Sequence, residues 1–322
     1  MRRVHLLATG GTIASRHGPD GLAAVTPAEE LLAAAGADPG VTVTTSDLGT
    51  VGSFAFTTSD LRGLVAEARR CLGRGVDGVV VTQGTDTMEE SAYLADLVHD
   101  DPRPIVFTGA QRPFDAAAPD GPANLADALL VAASPAARDL GALLCFDGLV
   151  FAARGVRKVE TLRSGAFAAP GRGPVLRLAA ASVLPLGRPV RPAAMPLDLA
   201  ADLPRVDVVA CYLGVDGSLM HAAVAAGATG LVLEAFGAGN VTPAVAEAAE
   251  ELTARGIPVL VCSRVPSGPV EPLYATGGAR LARAGAVFAG DLSPWQARLL
   301  LAAALALAPD DPQRVLADRL AV

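Results

Sequence analysis

Residues 78–90 read GVVVTQGTDTMEE: an apolar run of strand length, a turn of glycine and small hydroxyl residues, and a helix start. Thr87-Met88-Glu89-Glu90 fits the capping box, in which a threonine and a glutamate three residues on satisfy each other's backbone N–H groups. A strand that feeds a short loop and then a helix is the unit of a parallel sheet covered by helices. The same alternation recurs along the chain, with apolar runs at 4–8, 105–108, 206–213, 231–235 and 257–262 separated by longer Ala/Leu/Glu-rich stretches. An α/β fold is therefore expected. The run 143–156 differs, because Asp147-Gly148 sits between two apolar halves and signals a tight hairpin. An antiparallel pair is expected to extend the first sheet. Further helix starts stand at Ser293-Pro294-Trp295-Gln296 and at Thr242-Pro243, and the Ala-rich stretch 294–308 reads as a packed helix with a broad apolar face.

The chain of 322 residues is 51% hydrophobic, ample for sizeable cores, and carries a formal net charge of -7 without long runs of one sign. That balance argues against nucleic acid or an anionic membrane as the main partner and points to a small or proteinaceous one. Proline is dense and periodicity fades over 185–204, so two domains are expected, at 1–187 and 205–322, with a linker at 188–204. The apolar segment after Met1-Arg2-Arg3 is too short to span a membrane and has no small-residue cleavage site, which reads as a cytoplasmic chain. Cys71, Cys145, Cys211 and Cys262 show no CxxC spacing and read as buried free thiols.

In open parallel sheets ligands bind beyond the carboxyl ends of the strands, so the loops there carry the chemistry. The first loop is Thr9-Gly10-Gly11-Thr12, where paired glycines permit close backbone approach and leave Thr12 to face a ligand. The second is Gln83-Gly84-Thr85-Asp86-Thr87; Asp86, beside a helix amino terminus, suits a grip on an ammonium group. The third runs from Thr108 through Ala110, Gln111 and Asp120 into a helix from Asn124, with polar residues that suit the same crevice. Lys158, at the end of the hairpin's second strand, faces away from Arg157 and Val159; if its face is dry, its amine becomes a usable proton acceptor.

Taken singly, each feature is more often a turn, a helix cap or a solvated lysine than a site; taken together they outweigh that reading. Competing signatures are absent: no GxGxxG dinucleotide fingerprint directly follows the first strand, and there is no GxxxxGK[ST], no GxSxG and no HExxH.

LLATGGTIAS (6–15) and VVVTQGTDTMEESAYLADLV (79–98) resemble the two signature segments of the bacterial-type L-asparaginases. The resemblance continues in FTGAQRPFDAAAPDGPANLADAL (107–129), FDGLVFAARGVRKVETLRSGAF (146–167), VLEAFGAGNVTP (232–243) and LSPWQARLLLAAALA (292–306), and so covers nearly the whole chain. It implies a larger amino-terminal domain with a parallel-rich sheet, a smaller carboxy-terminal α/β domain with a parallel sheet, and a homotetramer built as a dimer of dimers with sites between subunits.

By the same resemblance Thr12 matches the nucleophile on a mobile lid loop, while Thr85, Asp86 and Lys158 match a rigid second group. Ser53 matches the serine that receives the substrate α-carboxylate; with Asp86 and the loop residues Gly11, Gly84 and Ala110 it makes up the expected substrate-binding set. The implied reaction is hydrolysis of the side-chain amide of L-asparagine, with L-glutamine or another amino-acid amide as the alternative substrate and an inactive asparagine- or aspartate-binding relative as the non-enzymatic alternative. No metal or organic cofactor is expected, because the amide needs only a nucleophile, a base and fixed dipoles. Two positions depart from the family pattern. Residues 21–27 (GLAAVTP) hold no lid tyrosine, which leaves Thr26 to orient Thr12, and Phe54 stands where an amide side chain is common.

Overall fold

In the computed structural model, which describes residues 1–36 and 40–321, the chain divides into two units, Met1–Met195 and Pro196–Val322. Chain order in the first unit is β1 (Arg2–Ala8), β2 (Ser15–Gly18), β3 (Gly21–Ala24), α1 (Ala28–Ala35), β4 (Val41–Asp47), α2 (Thr58–Gly73), β5 (Gly78–Thr82) and α3 (Met88–Val98). It continues with β6 (Ile105–Thr108), α4 (Gly121–Ala133), β7 (Ala142–Phe146), β8 (Leu149–Ala152), β9 (Arg157–Lys158), β10 (Phe167–Ala168), β11 (Leu176–Ala179) and β12 (Ser182–Pro185). Among the described residues the main sheet has eight strands in the order β12-β11-β8-β7-β6-β5-β1-β4. It is parallel from β4 to β7, and β8, β11 and β12 extend it antiparallel.

Burial explains the strand sequences. β5 (GVVVT) and β6 (IVFT) are buried at every position, as strands covered on both faces must be. The edge strand β4 (VTVTTSD) starts by alternating half-buried valines with exposed threonines, so only one face meets the core. At the β7–β8 turn Asp147 has φ 51° and Gly148 φ 74°, the pair of positive angles a two-residue hairpin with right-handed strand twist requires. Because β1, β5 and β6 run parallel with Ala8 beside Thr82 and Thr82 beside Thr108, the three loops that follow them leave from one edge of the sheet.

The proline-dense stretch begins as a strap on the first unit. The Arg191 Nε donates to Asp96 Oδ1 at 2.8 Å, its Nη2 donates to the His99 carbonyl at 3.1 Å, and the Met195 N–H donates to the Leu97 carbonyl at 2.6 Å. Asp96 is half-buried and also accepts the Ala142 N–H at 3.0 Å, so a single carboxylate ties α3, β7 and the strap together.

The second unit holds β13 (Val206–Ala210), α5 (Ser218–Ala225), β14 (Gly230–Ala235), α6 (Pro243–Ala254), β15 (Val259–Ser263), α7 (Gly278–Arg283), β16 (Val287–Phe288), α8 (Pro294–Leu307) and α9 (Pro312–Leu320). Its sheet runs β13-β14-β15-β16, all parallel. The apolar run 206–213 overshoots its strand: β13 ends at Ala210, and Leu213 is 97% exposed before Gly214 turns with φ 85°. Ser293 caps α8 by accepting the Gln296 N–H at 3.2 Å, and α8 packs against β13, β14 and β15. All four cysteines are buried and none is in a disulfide, and among the described residues no helix is long and apolar enough to cross a membrane.

Candidate active site

The first two loops meet backbone to backbone. Gly11 has φ 80° and ψ -176°, a region essentially closed to other residues, and a methyl group built on it would stand 2.3 Å from the Gly84 nitrogen. A methyl group on Gly84 would in turn stand 2.7 Å from Ser53 Oγ. The glycines are therefore spacers whose absent side chains let three segments close on one another, and Thr12, the next residue, is half-buried at the start of a single 3-10 turn. Gly11→Ala is expected to destabilise the first unit by about 3 kcal/mol in urea unfolding, since backbone rather than a flexible side chain must give way.

Lys158 reaches the second loop from the side. Its Nζ lies 2.8 Å from Thr85 Oγ1 and 2.7 Å from Asp86 Oδ1, and its side chain is 17% exposed. Thr85 is buried and donates its hydroxyl to Gln111 Oε1 at 3.1 Å, so the third loop supplies a partner to the second. Asp120 fixes that loop by accepting the N–H groups of Gln111 and Arg112 at 3.0 and 2.8 Å. Ala110, one residue earlier, is buried.

The strand that carries Lys158 is not the second arm of the β7–β8 hairpin. β8 ends at Ala152, Gly155 turns with φ 85°, and β9 pairs instead with β10, Lys158 opposite Phe167. The positive-φ glycine breaks the run that the sequence presents as continuous.

Ser53 is buried, and its Oγ accepts the N–H groups of Asp86 at 3.1 Å and Thr87 at 3.4 Å. Accepting both leaves its own hydroxyl proton to donate to an anion. Thr87 does not cap α3 with its side chain; its Oγ1 donates to the Ser53 carbonyl at 3.0 Å, so the capping-box spacing here serves a contact between loops. Thr26 makes no hydrogen bond to Thr12: it is buried, and its Oγ1 accepts the Arg16 Nε at 3.2 Å.

Glu89 is a group the sequence presents only as part of a helix cap. It is buried on the first turn of α3, and its Oε2 accepts the backbone N–H of Lys158. Burial pushes its carboxyl up to about 7; the Lys158 N–H bond opposes that rise, Glu90 adds to it, and Arg157 and Lys158 oppose it.

Comparison with known proteins gives the family. The sequence profile described as asparaginase, N-terminal matches residues 3–190, and that of the glutaminase/asparaginase C-terminal domain matches residues 205–316. The chain is 37% identical over 310 residues to a probable L-asparaginase of Deinococcus radiodurans, covering 94% of this chain and 92% of the relative. It is 33% identical over 321 residues to an L-asparaginase of Bacillus licheniformis, covering 95% and 96%. Among solved structures, a probable cytoplasmic L-asparaginase of Campylobacter jejuni superimposes with a TM-score of 0.88 at 29% identity, covering 99% of each chain. Profiles matching both halves of the chain, and relatives aligned along nearly all of it, make this chain a member of the asparaginase family.

Proposed function

We propose that this chain hydrolyses the side-chain amide of L-asparagine to L-aspartate and ammonia with Thr12 as nucleophile. The observation that carries the reading is the ammonium of Lys158 spanning Thr85 and Asp86, on the turn that the Gly11–Thr12 loop abuts. A threonine hydroxyl is a poor nucleophile until a base takes its proton. In this mechanism the Lys158 ammonium first releases a proton to solvent; the amine then draws a proton from Thr85 once that hydroxyl turns from Gln111 to it, and Thr85 takes the Thr12 proton as the oxygen attacks the amide carbon. Backbone N–H groups of the loops, Gly84 and Ala110 among them, steady the oxyanion. Collapse of the tetrahedral intermediate with proton return to nitrogen releases ammonia and leaves an ester on Thr12; water, deprotonated along the same path, frees aspartate. Asp86 holds the substrate α-ammonium, and the Ser53 hydroxyl donates to its α-carboxylate.

The same reading makes the chain a cytoplasmic homotetramer, a dimer of dimers acting on a small molecule; "cytoplasmic" is what the Campylobacter protein is called, while a Haemophilus influenzae relative is called periplasmic. Ammonia release from pure protein offered L-asparagine, L-glutamine and D-asparagine tests the activity. Turnover is expected to be fastest on L-asparagine; aspartate binding without ammonia from any of them overturns the enzyme in favour of a binding protein.

A further inference from the structure

Lys158 is held at two points. Its ammonium is fixed by Thr85 and Asp86, and its backbone N–H is fixed by a carboxylate of the helix those residues lead into. Among the described residues β9 pairs with β10 alone: the neighbouring Val159 N–H donates to the Ala166 carbonyl at 2.8 Å, while the Lys158 N–H points the other way, to Glu89. A two-residue strand has little pairing of its own to set its register. Glu89, buried and anchored three residues past Asp86 on a rigid turn, supplies what the ribbon lacks.

We propose that Glu89 is a positioning residue of the hydrolytic centre, fixing the backbone of Lys158 so that the amine of that residue spans Thr85 and Asp86. The inference rests on Lys158 being the proton acceptor of the reaction. A glutamate is suited to the task because a half-buried backbone N–H that points away from its ribbon partner needs an acceptor, and the Glu89 carboxyl oxygen supplies one from the helix. Glu89 touches no reacting atom in this scheme. It acts through Lys158, and a displacement of that amine by about 1 Å is enough to slow the chemical step about 100-fold.

Its burial adds a second signature. Burial pushes the Glu89 carboxyl up to about 7; the charges that act on it are Glu90 on its own helix and Arg157 and Lys158 on β9, with Asp86 on the far side of the Lys158 amine. Ionisation there changes the charge beside the amine within the working range, so the pH profile of kcat should carry an inflection that a neutral side chain removes.

The test compares Glu89→Ala, which removes the acceptor, with Glu89→Gln, which keeps an acceptor oxygen and removes the titration. Glu89→Ala is expected to lose about 100-fold in kcat with KM changed by less than about threefold. Glu89→Gln is expected to recover most of that loss and to show a kcat profile without the inflection near neutrality. A folded Glu89→Ala with kcat within twofold of the parent overturns the proposal. If Glu89→Ala does not fold, Glu89→Leu, which fills the space without offering an acceptor, is read by the same criterion. Lys158→Met run alongside separates the two levels: if it retains full activity, the mechanism has failed and this role with it; if it is inactive while Glu89→Ala is not, only the role of Glu89 is lost.

Discussion

Thr12→Ala is expected to lower kcat on L-asparagine by about 10⁴-fold with circular dichroism and thermal midpoint unchanged, since in the proposed mechanism its hydroxyl is the nucleophile and its loss removes the covalent route. Nothing in the fold depends on this hydroxyl: among the described residues it makes no hydrogen bond, and its neighbours Gly11 and Ile13 carry the packing. Lys158→Met, which keeps the length of the side chain and removes the amine, is expected to cost about 10³-fold, the range general-base catalysis supplies. The double variant should be no slower than Thr12→Ala alone, because groups on one proton path fail together. Near-parental activity in Thr12→Ala would remove it from the mechanism, and multiplicative losses would place the two residues on separate paths.

Arg191→Ala is expected to be the costliest stability change, about 3–5 kcal/mol, read as a fall of about 10 °C in the thermal midpoint of the first unit. The pair is largely withdrawn from water, with side chains 19% and 13% exposed, so losing the guanidinium strands a carboxylate in the interior. Burial already pushes the Asp96 carboxyl above its ordinary range, with Arg191 opposing the rise. A carboxyl raised in the fold holds its proton there while the unfolded chain has released it, so its contribution to stability falls as pH rises. Without Arg191 the rise is steeper, and the deficit should be larger at about pH 8 than at about pH 5. Asp96→Asn in the Arg191→Ala background should recover part of the loss, because an amide oxygen still accepts the Ala142 N–H at no cost in charge. A deficit that ignores pH and is not rescued would make Arg191 mere packing.

What the sequence makes legible is local. The strands at 78–82 and 105–108 and the hairpin at Asp147-Gly148 are written in continuous apolar runs and in turn residues with one conformational use. What it hides is the choice of partner. Thr87, Met88, Glu89 and Glu90 have capping-box spacing, but the Thr87 hydroxyl serves Ser53 and Glu89 serves Lys158, 34 and 69 residues away in sequence. A helix-start glutamate looks the same whether it caps its own turn or holds a distant strand, and only burial tells the two apart. The Thr-rich edge strand β4 and the two-residue strands β9 and β10 escape notice because exposed faces and short runs carry almost no periodicity. Arg191 looks like a linker residue in a proline-dense stretch, since its partner lies 95 positions earlier.

The Ala14 carbonyl accepts the N–H groups of both Val25 and Thr26 at 3.0 Å, which closes the β2–β3 hairpin into a loop with a single neck. Gly11 is wedged against Gly84 on the other side of that neck. The backbone on both sides of Thr12 is thus tied to the fold, so the position proposed for the attacking oxygen is set before any ligand arrives.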